Sequence, residues 1–172
     1  MQNGKMGLDS LEIVTKIKAL LNQIPDPEIP VVSICELGMV KDVLVNTETN
    51  DIVVEIMPTY TACPATHQIQ SDIEKILKQN GFKVKVNLIY APAWNTTMIA
   101  ESALKKLSDY GIAPPTAKID SNALLEKKYI ITCPRCKGTN TVLISPFGST
   151  PCKALFKCND CHEPFDYFKC HL

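Results

Sequence analysis

A chain of 172 residues has room for one ordinary domain and a small appendage. Its 45% hydrophobic content is that of a globular protein, and 18 Lys plus Arg balance 18 Asp plus Glu. Zero net charge argues against a dedicated nucleic-acid binder, and no run reaches the about 18 apolar residues of a membrane helix.

The first ten residues, "MQNGKMGLDS", lack the apolar stretch of a secretory signal, so a cytoplasmic location is expected. In a reducing compartment clustered cysteines point to metal or catalysis rather than to disulfides. Residues 10–23 carry Leu11, Ile13, Val14, Ile17, Leu20 and Leu21 at helical spacing, so they read as an amphipathic helix. Asp9 and Glu12 have the spacing of a capping box. The prolines of "PDPEIP" stop this helix. Asp26 and Glu28 then sit on a rigid turn whose oxygens suit a cation or a basic partner, although turns are rich in Asp and Pro for local reasons.

"GMVKDVLVN" and "DIVVEIM" alternate as strands, with "TETN" as the hairpin turn between them. The loop "TYTAC" follows. Pro64 is expected to open a second helix, with Ile69, Ile73, Ile76 and Leu77 on one face and Gly81 at its end. Cys63 would then be the N-cap, where the helix dipole favours thiolate, making it a nucleophile or an iron or cluster ligand. The competing reading is a small residue at a cap. His67 lies one turn on and reads as solvated. "FKVKVNLIY" alternates as a third strand. A third helix is expected from Asn95 or Thr96 to Asp109. Cys35 reads as core, and Trp94, the single tryptophan, as a packing anchor for its loop.

Residues 116–127 are the expected linker, with two prolines just before them and no sustained periodicity. Composition then shifts: residues 128–172 contain six of the eight cysteines among short β-like runs, "KYIITC", "TVLIS", "ALFKC" and "FDYFKC". Charge shifts too, from 11 basic and 15 acidic residues in 1–126 to 7 basic and 3 acidic in 127–172. Cys133-Pro-Arg-Cys136 and Cys158-Asn-Asp-Cys161 form two knuckles that can face each other across one metal ion. Zinc is the first expectation, and a rubredoxin-like iron uses the same spacing. A segment this short has too little core to stand alone, which gives a structural metal a physical reason. His162 follows a ligand cysteine and is expected to point away or to support a ligand. Cys152, Cys170 and His171 are left over: buried apolar residues on one reading, a second thiol site on the other. No Gly-rich phosphate loop or nucleophile–base order is visible, and three histidines give acid–base catalysis little to work with.

The motifs "DPEIPVVSICELGMVKDV", "PTYTACPA", "APAWNTTMI", "YGIAPP" and the tail from "CPRCKGT" to "FDYFKCH" resemble, in order, the PaaD-type subunit encoded with phenylacetyl-CoA epoxidase. The likeness runs from about Ile24 to His171. The first part is also similar to the wider iron–sulfur assembly domain family that includes SufT. Two places depart from the family pattern: "PAWNTTMI" carries Asn95 and Met98 where the family reads closer to "PAWTTDWI", and Ala62 replaces a loop glycine.

The resemblance implies an α/β (α+β) domain over 1–115, a small sheet packed with helices, followed by a zinc-ribbon β domain over 128–172. It implies a non-catalytic accessory protein of a monooxygenase complex in phenylacetate catabolism, assisting assembly or repair of an iron or iron–sulfur centre. Cys63, with Asp26 and Glu28, would handle iron or a nascent cluster. Structural zinc would sit on Cys133, Cys136, Cys158 and Cys161. The expected partners are the oxygenase or reductase subunits and a further copy of the chain, with no nucleic acid and no membrane. The rival expectation is a zinc-ribbon docking adaptor without cluster chemistry.

Overall fold

The computed structural model describes residues 10–46, 49, 51–115 and 130–169. Helix α1 spans Ser10–Leu21 and ends two residues before the expected boundary. Asp9, half of the expected capping box, lies outside the described residues. Ile17 and Leu21 are fully buried, so the apolar stripe faces the core as its period requires.

Strands β1 (Val40–Asn46) and β2 (Asp51–Ile56) pair antiparallel, with Asn46 opposite Asp51. The hairpin is therefore as expected, although Thr47, Glu48 and Asn50 of its turn lie outside the described residues. Helix α2 (Thr66–Gln79) crosses over to β3 (Lys83–Leu88), which pairs parallel to β2. The sheet order is β1-β2-β3. Ile69, Ile73 and Leu77 are fully buried against it, and Ile76 packs at the margin. Each such side chain contributes about 1.5–3 kcal/mol by burial.

The third helix departs from the expectation. Thr96–Met98 form one 3-10 turn capped by Asn95, whose Oδ1 accepts the Thr97 N–H at 3.0 Å. Ile99 and Ala100 are then extended, and α3 begins only at Glu101, running to Tyr110. The break has a cause: the Ala100 N–H donates to the Glu36 carbonyl at 2.8 Å instead of into a helix. Gly111 ends α3 in the left-handed conformation, φ 95°.

A second sheet has the order β4-β7-β6-β5. Strand β4 is Ile112–Ala113, directly after α3; β5 is Thr141–Ser145, β6 Lys153–Cys158 and β7 Pro164–Phe168. The expected strand in "KYIITC" is absent among the described residues, where 130–133 run without ladder pairing. The Cys133 N–H instead closes the first knuckle on the Gly138 carbonyl. The expected linker, 116–127, lies outside the described residues.

The two cores exchange residues. Ala113 joins the cluster of Ile131, Phe156, Phe165 and Tyr167 in the Cys-rich part. Phe168 and Cys152 join the core of α1, α2 and the first sheet. Phe168 meets Trp94 edge-on, ring centroids 6.0 Å apart, and the Trp94 indole donates to the Leu37 carbonyl at 2.9 Å. Trp94 is the packing anchor expected of it, and what it anchors includes the C-terminal sheet.

Candidate functional site

The four cysteines of the two knuckles come together. Their Sγ atoms all lie within 4.8 Å of one another, with Cys133 to Cys161 at 3.8 Å and Cys136 to Cys158 at 3.5 Å. A tetrahedral ion with metal–sulfur bonds of about 2.3 Å needs sulfurs about 3.8 Å apart. The set therefore fits a closed four-thiolate ion, with no position left for substrate.

Both knuckles are built alike. The Cys133 N–H donates to the Gly138 carbonyl and the Cys158 N–H to the Glu163 carbonyl, each at 2.9 Å. The residue after each second cysteine, Lys137 and His162, turns left-handed at φ 62°. After the first of these turns the Gly138 N–H points at the Cys136 sulfur, 3.4 Å away. The backbone N–H groups of Cys161 and then Asp160 aim at Cys158 and hold its thiol down to about 7, despite its burial. Such N–H groups stabilise thiolate, the ligand form. His162 is exposed and makes no part of the sulfur set.

A second group gathers around the turn after α1. The Asp26 carboxylate accepts the N–H groups of Glu28 and Ile29, both at 2.9 Å, which fixes the turn. Burial pushes the Asp26 carboxyl above its usual range, more than these two bonds pull it down. The Glu28 carboxylate accepts the Cys152 thiol at 3.2 Å, from a residue 124 positions away. Thr150 Oγ1 lies 2.9 Å from the same sulfur. Lys153 reaches the Glu28 carbonyl at 3.4 Å.

The charges of Glu28 and Asp26 reach the Cys63 thiol. The expected N-cap is corrected here. The residue before α2 is Ala65, and Cys63 sits one turn earlier, its carbonyl accepting both the N–H and the hydroxyl of Thr66. Burial raises the thiol's pKa; the Ala65 N–H and the Thr66 hydroxyl pull it down in part, and the Glu28 and Asp26 charges add smaller upward pushes. Cys63 is thus a buried thiol kept in its protonated form, not a resting thiolate. Tyr60 packs against the first core, where burial, then Cys63, Glu28 and Cys152 nearby, push its hydroxyl up to about 12.

Of the residues singled out from sequence, the fold brings Asp26, Glu28, Cys63 and Cys152 to one region and the four knuckle cysteines to another. Cys170 and His171 lie outside the described residues. Cys35 is half-buried against the core, where burial pushes its thiol up to about 11. His67 is exposed. Sequence reasoning missed Tyr60, Thr150 and Lys153, which come into play only once the ribbon docks on the α1 turn. No local pattern announces a contact across 124 residues.

Comparison with known proteins places both halves. Residues 15–88 match the iron–sulfur cluster assembly protein family, and residues 117–169 match the PaaD zinc beta ribbon domain. An Escherichia coli (strain K12) protein named as one of the subunits of a "Putative 1,2-phenylacetyl-CoA epoxidase" is 48% identical over 158 residues, covering 91% of this chain and 93% of that one. An "Fe-S protein maturation auxiliary factor" of Porphyromonas gingivalis is 35% identical over 106 residues, covering 59% of this chain and 97% of its own length. The first domain also resembles the crystal structure of a domain of unknown function, DUF59, from Bacillus anthracis: TM-score 0.53, 32% identity, 56% of this chain and 92% of that one. Two family matches in tandem and near full-length similarity to the Escherichia coli protein agree: the chain belongs to the PaaD family, an iron–sulfur assembly domain followed by a zinc-ribbon domain.

Proposed function

We propose that the protein is an accessory factor of a cytoplasmic phenylacetyl-CoA epoxidase system, assisting assembly or repair of an iron or iron–sulfur centre in that system's oxygenase or reductase subunits. The names of its relatives support the setting, one being an epoxidase component and the other a maturation factor. The observation that carries the reading is the buried Cys63 thiol, within electrostatic reach of Glu28 and Asp26, on the domain shared with the assembly family. A thiol beside carboxylates can take a metal by losing its proton and give it up by regaining it. That reversibility suits a protein that must release its cargo.

The ribbon has a different task in this reading. Its four cysteines hold zinc permanently and order the sheet that packs on Trp94 through Phe168. In cells degrading phenylacetate, Cys63→Ala should give a stable protein and an epoxidase complex short of iron. Iron content of the purified complex is the readout. Full iron loading with Cys63→Ala would contradict the proposal. It would favour the docking adaptor, a reading supported by the closed sulfur set, which leaves no open position for chemistry.

A further inference from the structure

A sheet edge is a row of unpaired backbone groups, which folded proteins shield with charge, brevity or cover. Among the described residues the two sheets have four edge strands, and three of them are shielded. Strand β1 carries Lys41 and Asp42, and β3 carries Lys83 and Lys85, all exposed. Strand β4 is two residues long with both side chains buried. Strand β5 is the exception. It pairs with β6 on one side alone, and its five residues, Thr-Val-Leu-Ile-Ser, carry no charge.

The surface around β5 is apolar as well. Among the described residues eight large apolar side chains are exposed, and four of them, Ile130, Val142, Ile144 and Phe147, belong to β5 or its flanks. The Thr141 hydroxyl donates to the Ile131 carbonyl at 2.6 Å, which sets Ile130 beside the start of the strand. Phe147 stands past its other end. That ring is 61% exposed, yet it is held from below. Lys169, itself 3% exposed, places its ammonium 4.3 Å from the ring centroid and donates to the Pro146 carbonyl. A large ring fixed on a buried base and shown to solvent is the kind of anchor a contact surface uses.

We propose that β5 is the seam of a homodimer, in which two copies of the chain pair their β5 strands antiparallel and join their ribbon sheets into one. The strand's own sequence argues for this occupant. About a two-fold axis at Leu143, Val142 of one copy lies opposite Ile144 of the other, and Thr141 lies opposite Ser145. By chemical type the strand therefore reads alike in both directions: hydroxyl, branched, Leu, branched, hydroxyl. A two-fold contact requires such self-complementarity, and pairs of branched or hydroxyl side chains stabilise neighbouring strands. The same axis carries Phe147 of each copy toward Ile130 of the other. Charge does not oppose the pairing, since β5 has none and the chain's formal net charge is zero. The ladder to β6 shifts register between Leu143 and Ser145; this bulge adds local twist and keeps the seam short.

Sedimentation equilibrium of the zinc-loaded full-length protein tests the proposal. A species of twice the 19.0 kDa chain mass is expected, in equilibrium with the monomer on dilution. Val142→Lys and Ile144→Lys each place a charge on the seam twice over, by symmetry, and should weaken the dimer at least about tenfold. Phe147→Ala should weaken it as well. Leu44→Lys, at an exposed position of β1, should leave it unchanged. All four side chains are exposed in the single chain, so each variant should keep the Trp94 emission of a docked ribbon. Amide hydrogen exchange needs no variant: the β5 amides should gain protection as concentration rises through the dimer's dissociation constant. A monomer at every concentration overturns the proposal, and protected β5 amides in that monomer would assign the edge to another segment of the same chain. A dimer unaffected by both lysine variants overturns it too.

Discussion

Glu36 ties α3 to the first domain. Its carboxylate accepts the Ser33 N–H at 3.1 Å, the Ser102 hydroxyl at 3.0 Å and the Lys106 ammonium at 2.8 Å. Burial alone would raise its pKa; Lys106 and the two serines outweigh it and hold the carboxyl below its usual value. Asp26 is the opposite case, raised by burial. The signs of their pH dependence therefore differ. The stability from Glu36 is present above its unfolded value of 4.5 and is lost as pH falls through the folded one. That from Asp26 is full below 3.8 and is lost as pH rises through its raised folded value. Between Glu36→Gln and Asp26→Asn, urea midpoints measured across the acid range should change slope in opposite directions. Glu36→Gln should also cost about 1–3 kcal/mol at neutral pH, since it removes charge-assisted bonds. Asp26 and Glu28 were visible in the sequence as a rigid turn, and Cys63 as a loop thiol. Its protonation was not, because burial is a tertiary fact.

At the scale of elements, the tight approach is between the end of the "ELG" turn and the 3-10 turn. Gly38 has φ +68°, and a Cβ on it would stand 2.2 Å from the Met98 carbonyl oxygen. The backbone strain and the clash with another backbone act together. Gly38→Ala should destabilise by at least about 2 kcal/mol in urea unfolding. Gly81→Ala also meets a positive φ, but nothing lies within 4 Å of its added Cβ, and it should cost less. The sequence announced α1, α2 and β1 to β3 clearly, because their apolar periods match one buried face each. The split third helix was hidden. Asn95 is a sound cap, but the element it caps is one turn, and the chain then diverts its Ala100 N–H to Glu36. Strand β4 was hidden too: two residues after a helix carry no period, and they pair only because β7 is beside them.

At the scale of the molecule, the ribbon gathers its four cysteines at one end and packs on the first domain at the other. Phe168 is 1% exposed within the core of the first domain. Phe168→Ala should cost about 3–5 kcal/mol and shift the Trp94 emission. Chelating the ribbon metal should loosen the knuckles and release Phe168, so the same emission shift should appear in the unsubstituted protein on metal removal. The circular dichroism of α1 and α2 should persist, as their core draws on the first domain's own residues. The knuckle spacing made the metal site legible in the sequence. The docking of the ribbon was not legible, since it depends on Phe168, Cys152 and Trp94 meeting across the chain.

In the proposed function Cys63 handles iron while the ribbon holds zinc. Metal and acid-labile sulfide content of anaerobically purified protein, wild type beside Cys63→Ala, tests it most directly after supply of iron and sulfide. One zinc per chain is expected in both, with iron in the wild type that disappears in the variant. One zinc and no iron in either would contradict it, and the protein would then be a zinc-built docking surface.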